Sequence, residues 1–198
     1  MQTRRTFITT AFASVGFLAT AVFTPVLAQD AMSRDDILGS VANQYVVSPD
    51  ITNSERIRIH AQADRLEKMF TGTGAIIMRR KSEVVLSIPE QAFFAHPKPS
   101  VRPDVMPLLS ELAAEMIKQP RTWLEIMAHY HSDGRAANSM ASSERRGVAI
   151  QAVLMSRKVP LSRVIVSGLG EAYPSDTNST PEGKSNNRRI DLVFRPVS

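Results

Sequence analysis

From residue 83 onwards, this 198-residue chain alternates between two hydrophobic periods, and that alternation limits the folds available to it. Alternating or continuous apolar runs predict strands at 83–88, 122–128, 164–166 and 189–194. Helical spacing predicts one helix from Pro103 to Lys118 and another that ends near Arg157. Strands joined through helices need crossover connections, so the order predicts helices packed on a sheet. The last strand could pair in either direction, which predicts an α+β or α/β sandwich with a mixed sheet.

The second of these helices follows the polar loop 132–138. Helical spacing favours one stripe as the side that packs on the sheet. We therefore expect the inward residues to be Val148, Ala149, Ala152 and Met155.

Residues 29–82 predict an N-terminal extension made of helices and the start of a hairpin. A short helix is expected at 37–46, after a capping serine at Ser33. A second helix begins at Asn53 or Ser54 and ends at the turn 72–74. Its apolar stripe consists of Ile59, Ala63, Leu66 and Phe70. Strand-like runs at 75–78 and 83–88 flank a polar turn and predict a hairpin. The expected division of the chain is therefore 1–28, 29–82 and 83–198.

The first 28 residues have the composition of an export signal peptide. Arg4 and Arg5 precede a long uncharged stretch, and Val26 and Ala28 are small enough for the positions before a signal-peptidase cut. The arginine pair resembles a twin-arginine signal, although general-secretion signals also carry such pairs. We expect cleavage after Ala28 and location in the periplasm, with outer-membrane association as a further expectation. The alternative is an uncleaved anchor, because Phe7–Ala28 is long enough to span a bilayer.

The composition excludes several classes of function. The chain has no cysteine, which excludes disulfides, a thiolate nucleophile, a cysteine zinc site and an acylated lipoprotein cysteine. The net charge of +5 is small and the longest basic run is 79–81, so no nucleic-acid partner is expected. No serine has an identifiable base partner, and Gly168-Leu-Gly170 lacks a third glycine. We therefore expect a protein that is not an enzyme and needs no cofactor.

Four stretches follow one another in a specific order and spacing. They are Phe93-Phe94 leading to Pro103 and its helix, Ile126-Met-Ala-His-Tyr-His-Ser-Asp-Gly134, Ser143-Glu-Arg-Arg-Gly147, and Gly168-Leu-Gly-Glu171 running to Asn187-Arg-Arg-Ile190. Together they make residues 83–196 similar to the OmpA-like peptidoglycan-associated domain, the family of OmpA, Pal and MotB C-terminal domains. The resemblance implies an α+β fold, a βαβαβ sandwich with helices packed on a small mixed sheet.

The same resemblance implies a function and a binding site. Members of the family bind peptidoglycan non-covalently through its diaminopimelate side chain, which presents a carboxylate beside an ammonium group. The family uses an aspartate at a strand end and an arginine on the following helix. Arg146 falls at the arginine position, and a planar guanidinium fork suits a carboxylate. Asn187 is a further candidate binding residue.

At the aspartate position this chain has His131. A neutral imidazole can accept one hydrogen bond from an ammonium group but gives no charge pairing. A protonated imidazole would repel the ligand. We therefore expect weak wall binding that weakens further below about pH 6. Asp133 could supply the missing charge if its loop bends inward.

Other functions remain open from the sequence. The spacing His129-x-His131-x-Asp133 suits a divalent metal ion, although no histidine follows to complete a larger site. A second alternative is a periplasmic scaffold or assembly factor with the same fold that binds a protein partner through 29–82, with wall binding weakened by His131. A flagellar stator is set aside because the hydrophobic span 7–28 carries no acid.

Overall fold

The computed structural model describes residues 51–131 and 136–197, so the predicted signal peptide and the predicted helix at 37–46 lie outside the described residues. The described helices are α1 (Asn53–Met69), α2 (Met106–Lys118), α3 (Ala136–Ser156) and α4 (Pro181–Asn187). The strands are β1 (Ile76–Arg79), β2 (Val84–Pro89), β3 (Thr122–His129), β4 (Val164–Gly170) and β5 (Arg189–Pro196). Within these ranges no helix is both long enough and apolar enough to cross a bilayer.

The five strands form one sheet in the order β1-β2-β5-β3-β4. The β3–β4 pair is parallel, whereas β1–β2, β2–β5 and β3–β5 are antiparallel. The predicted mixed sheet is therefore confirmed, and the closing strand β5 lies between β2 and β3. Helices α1, α2 and α3 contribute residues to one core with the facing side of the sheet. That core includes Leu66, Leu112, Leu154, Leu192 and Phe194.

Helix α1 belongs to this core. Its start is fixed by a capping box in which Thr52 and Glu55 exchange side-chain and backbone hydrogen bonds. The stripe predicted from helical spacing is buried against the sheet, namely Ile59, Ala63, Leu66 and Phe70. The predicted boundary between residues 82 and 83 falls in the turn of the β1–β2 hairpin. Residues 51–82 therefore pack against the rest of the described chain.

The inward face predicted for α3 was largely wrong. Val148 is 47% exposed and Met155 is 40% exposed, Ala152 is also exposed, and Ala149 alone is partly buried. The buried face consists of Ser139, Ser143, Arg146, Gly147, Ile150 and Leu154. Residues two apart lie about 200° apart around a helix, so burying Arg146 turns Val148 towards solvent. A hydropathy pattern places an arginine outside, and here the arginine is inside.

Two glycines allow α3 to approach β4 closely. A Cβ atom on Gly168 would lie 2.7 Å from the backbone nitrogen of Glu144, and one on Gly170 would lie 2.8 Å from that of Met140. Gly170 also has φ of +52°, which disfavours other residues. The Gly-x-Gly motif thus brings the first half of α3 onto the end of β4. This contact sets the height and rotation of the helix that carries Arg146.

The opposite face of the sheet carries buried charges around a small apolar patch of Val85, Met127 and Val193. At one end, the Arg195 guanidinium lies 2.8 Å from a Glu83 carboxylate oxygen and 2.6 Å from a Glu125 carboxylate oxygen. At the other end lie His129, Arg189 and Asp191, all buried. Both faces of the sheet therefore hold side chains that the fold has removed from water.

Candidate functional site

The guanidinium of Arg146 is almost completely buried at the end of β3. Arg146 is 1% exposed, and its Nε donates to Glu90 Oε1 at 2.5 Å. Its two terminal nitrogens donate to the backbone oxygens of Ser142 at 3.0 Å and Pro97 at 2.8 Å. The Tyr130 ring lies over the guanidinium carbon with a centroid distance of 3.9 Å, a cation–π geometry. The candidate binding cation therefore has internal partners.

The carboxylate of Glu90 is the main acidic partner of this arginine. Glu90 follows β2 in a short 3-10 turn (Glu90–Ala92) and is itself 1% exposed. Its second oxygen lies 3.4 Å from Arg188 Nε and 3.5 Å from His96 Nδ1. One buried carboxylate thus faces two guanidinium groups and an imidazole. These neighbours surround the carboxylate without exposing it to water.

A surface turn lies directly over the buried pair. Residues 95–98 are exposed, although the Pro97 carbonyl accepts a hydrogen bond from Arg146. The His96 ring stacks on Tyr130, with centroids 5.9 Å apart. Arg146 is therefore separated from solvent by one turn and one aromatic ring, and not by a whole layer of the protein.

His131, which the sequence resemblance predicts to stand at the family's aspartate position, lies beside a different acid from the one expected. Its Nδ1 is 3.4 Å from Glu171 Oε1, and the Ser139 hydroxyl donates to the same carboxylate. Glu171 would pair with a protonated imidazole and so reduce the repulsion of a cationic ligand that the sequence predicts. Asp133 lies outside the described residues, so its compensating role stays a prediction.

The side chain of Asn187, at the end of α4, is committed to internal hydrogen bonds. Its Oδ1 accepts from the backbone nitrogens of Ser175 and Asp176 at 2.6 Å and 2.8 Å. Its Nδ2 donates to the Asp176 carbonyl and the Asn178 side chain, each at 2.7 Å. These bonds use both donors and both lone pairs of the amide. Asn187 fixes the turn before α4 and has no hydrogen-bonding capacity left for a ligand.

The two histidines of the possible metal motif have separate acidic neighbours. His129 is buried with its Nε2 3.2 Å from Asp191 Oδ2, whereas His131 lies beside Glu171. Among residues 51–131 and 136–197, no group of three or more His, Cys, Asp or Glu side chains is arranged to hold a metal ion.

Comparison with known proteins gives this region a family. Residues 93–188 match the model of the OmpA family. The Probable lipoprotein YiaD of Escherichia coli (strain K12) is 28% identical to this chain over 136 residues, which cover 69% of this chain and 62% of YiaD.

Solved structures share the architecture of the OmpA-like domain. A putative MotB like protein from Desulfovibrio vulgaris has a TM-score of 0.63 at 19% identity, covering 72% of this chain and 97% of that one. The cell wall anchor of the T6SS from Pseudomonas aeruginosa has a TM-score of 0.59 at 21% identity, covering 72% of this chain and 99% of that one. The predicted fold class is therefore confirmed.

On the sheet face opposite the helices lies a buried group of His129, Asp191 and Arg189. Burial, reinforced by the Arg189 guanidinium, lowers the pKa of His129 although Asp191 opposes the shift. Burial would raise the pKa of Asp191, but Arg189 and the hydrogen bonds from His129 and Ser87 outweigh it and hold that pKa well below its ordinary value. In the folded domain His129 is therefore neutral and Asp191 ionised near neutral pH.

This group predicts loss of stability in acid. Below pH 6.5, the ordinary pKa of histidine, His129 binds a proton in the unfolded chain but stays neutral in the folded protein. The free energy of unfolding therefore falls by up to about 1.4 kcal/mol for each unit by which the pH is lowered. Below about pH 4 the lowered pKa of Asp191 adds a second loss in the same direction. Urea unfolding of the wild type and of His129→Gln at several pH values from 8 to 5 measures the first effect, and His60→Gln is the matched control. Equal slopes of the free energy of unfolding against pH for the wild type and His129→Gln would contradict the prediction.

The sequence identified only part of the candidate site. Tyr130, Glu171 and Arg188 lie within the sequence motifs, which assign none of them a binding role, and Glu90 lies outside the motifs. The available signals were that Tyr130 sits beside His131 and that Arg188 lies within the Asn-Arg-Arg motif. Glu90 gave no signal, because a single acid after a strand is usually solvated.

Proposed function

We propose that this is an exported, non-enzymatic cell-envelope protein that associates non-covalently with peptidoglycan through the diaminopimelate side chain. The observation that carries the proposal is the Arg146 guanidinium held under the exposed turn 95–98 at the end of β3. This cation lies on the helix that the family resemblance assigns to ligand binding. A guanidinium with an aromatic ring on one face suits the carboxylate of an amino-acid side chain.

The ammonium group of the same ligand needs an acceptor near His131. Glu171 supports this role, because its carboxylate lies 3.4 Å from the imidazole that stands where the family has an acid. Its side chain is 26% exposed, so a cation can reach it. The proposed ligand site therefore has Arg146 for the carboxylate, and His131 with Glu171 for the ammonium group.

The proposed location is the periplasm, with association with the outer membrane through the wall or an envelope partner. Support comes from the signal-like residues 1–28 and from the likeness to a protein described as the cell wall anchor of the T6SS. The twin-arginine character of the signal and cleavage after Ala28 are part of this proposal.

A second candidate function is that of a scaffold or assembly factor that binds an envelope protein. It is favoured by the burial of Arg146 against Glu90, because the Arg146 guanidinium is then not exposed at the surface. The described part of residues 29–82 also carries two exposed apolar side chains, Ile57 at 69% and Ile76 at 45%. A partner surface on α1 and β1 would cover them.

Pelleting with purified sacculi tests the proposed function. We expect the wild type to pellet with diaminopimelate-type sacculi and to bind lysine-type sacculi at least about tenfold more weakly, because lysine lacks the second carboxylate. Arg146→Lys keeps the charge but loses the planar fork and should weaken binding, whereas the exposed neighbour variant Arg145→Lys should not.

Equal binding to both types of sacculus would contradict the diaminopimelate assignment. No binding to either type, together with an envelope protein that cross-links to the wild type but not to Ile57→Asp, would favour the scaffold.

A further inference from the structure

The Arg146 cluster is arranged as a site that already holds a carboxylate. Nε and both terminal nitrogens of Arg146 have partners within the chain, and among residues 51–131 and 136–197 its charged partner is Glu90. The group that Glu90 presents, a carboxylate at the end of a flexible side chain, is the same group that a wall stem peptide would present. The pair is buried, so a second carboxylate cannot reach Arg146 while Glu90 stays there.

The backbone around Glu90 does not depend on its carboxylate. The Glu90 nitrogen donates to the Arg188 carbonyl at 2.9 Å, and the Glu90 carbonyl accepts from Phe93 and Phe94 at 3.0 Å. These bonds hold the turn in place whatever the side chain does. The carboxylate can therefore move by rotation about side-chain bonds, without unfolding the turn.

A second position for the carboxylate is already present. Arg188 Nε lies 3.4 Å and His96 Nδ1 lies 3.5 Å from Glu90 Oε2. Both partners are nearer solvent than Arg146, because their side chains are 22% and 48% exposed against 2% for Arg146. A Glu90 displaced from Arg146 would thus keep a cationic partner, which avoids the large cost of a buried unpaired charge.

We propose that Glu90 is an intramolecular ligand of Arg146 that determines the affinity of this site for carboxylates. The structure then represents the self-occupied state. A wall carboxylate binds by exchange, in which Glu90 turns towards Arg188 and His96 and the turn 95–98 moves aside. This inference rests on the proposed function, because it assumes that Arg146 is the wall-binding cation.

The variant Glu90→Gln tests the proposal. It keeps the shape of the side chain and one acceptor oxygen but removes the competing charge, so Arg146 should become available. We expect Glu90→Gln to bind diaminopimelate-type sacculi at least about tenfold more tightly than the wild type. Arg188→Met, with Glu90 unchanged, removes the second position for the Glu90 carboxylate. This variant should bind diaminopimelate-type sacculi more weakly than the wild type.

The matched control is Glu125→Gln. Glu125 is equally buried and pairs with Arg195 at 2.6 Å, but on the opposite face of the sheet. It should lose stability without gaining wall affinity. In the wild type, the nitrogen resonance of Arg146 Nε should shift on titration with a soluble stem tripeptide ending in diaminopimelate, a measurement that needs no variant.

The outcomes separate this inference from the proposed function. Tighter binding by Glu90→Gln supports it, even where the wild type binds too weakly to pellet. A wild type that binds while Glu90→Gln binds no better, with no shift of the Arg146 resonance, overturns the inference and leaves the proposed function standing. Failure of both proteins to bind any sacculus or tripeptide overturns both.

Discussion

Replacing Arg146 by methionine should lower the free energy of unfolding by about 3–5 kcal/mol, because it leaves the Glu90 carboxylate buried without its closest cation. The variant also lacks the guanidinium contact with Tyr130 and the hydrogen bonds to two backbone carbonyls. Urea unfolding monitored by circular dichroism gives the value. The neighbouring Arg145 is exposed and its one described side-chain bond is to Ser142, so Arg145→Met should change stability by no more than about 0.5 kcal/mol.

The double variant Arg146→Met with Glu90→Gln separates two contributions to the loss of stability. One is the loss of the guanidinium contacts, and the other is the Glu90 charge left without its closest cation. Removing both charges should recover part of the stability lost in Arg146→Met, because the buried Glu90 charge then no longer depends on its more distant neighbours Arg188 and His96. If Arg146→Met lowers the free energy of unfolding no more than Arg145→Met does, Arg146 and Glu90 do not form a buried ion pair. Because substitution of Arg146 is expected to lower the folding stability, binding tests on Arg146 variants need a check that the variant is folded.

Replacing Arg195 by methionine should also cost about 3–5 kcal/mol, because one guanidinium there serves two acids. Glu83 and Glu125 both bond to Arg195 and both are buried, so the substitution leaves two negative charges near each other. The Trp123 ring, 5.1 Å from the guanidinium carbon, loses its cation as well.

The control for Arg195 is an arginine with an exposed ion pair. The Arg121 side chain is 62% exposed in its pair with Glu55, and Arg121→Met should cost less than about 1 kcal/mol. Thermal unfolding at neutral pH compares the two variants. Similar unfolding temperatures for both would contradict the assignment of Arg195 as a buried structural cation.

Secondary structure was predictable wherever one hydrophobic period dominated. The α1 stripe from Ile59 to Phe70, the β1–β2 hairpin and the alternation along β5 all lie where the sequence predicts them. The face of α3 was not predictable in this way. Its inward side contains serines, a glycine and an arginine, whose burial depends on partners from distant parts of the chain.

The candidate site was predictable only by register with a family. Arg146 has no local feature that separates it from an exposed helix arginine, and its position was inferred from the order of the motifs. Its main partner, Glu90, lies fifty-six residues earlier, so their contact follows from tertiary structure alone. Local pattern cannot show that an acid at the end of β2 and an arginine in α3 meet.

The position of β5 has a consequence for how this polypeptide can acquire its structure during synthesis. β5 is the last of the described strands along the chain but lies in the middle of the sheet, where it is the sole link between the β1–β2 hairpin and the β3–β4 pair. The two halves share no strand pairing until residues 189–196 have left the ribosome. Pairings so distant in sequence form slowly and leave strand edges open in the meantime. A nascent chain of this design therefore keeps its sheet open until β5 has been synthesised.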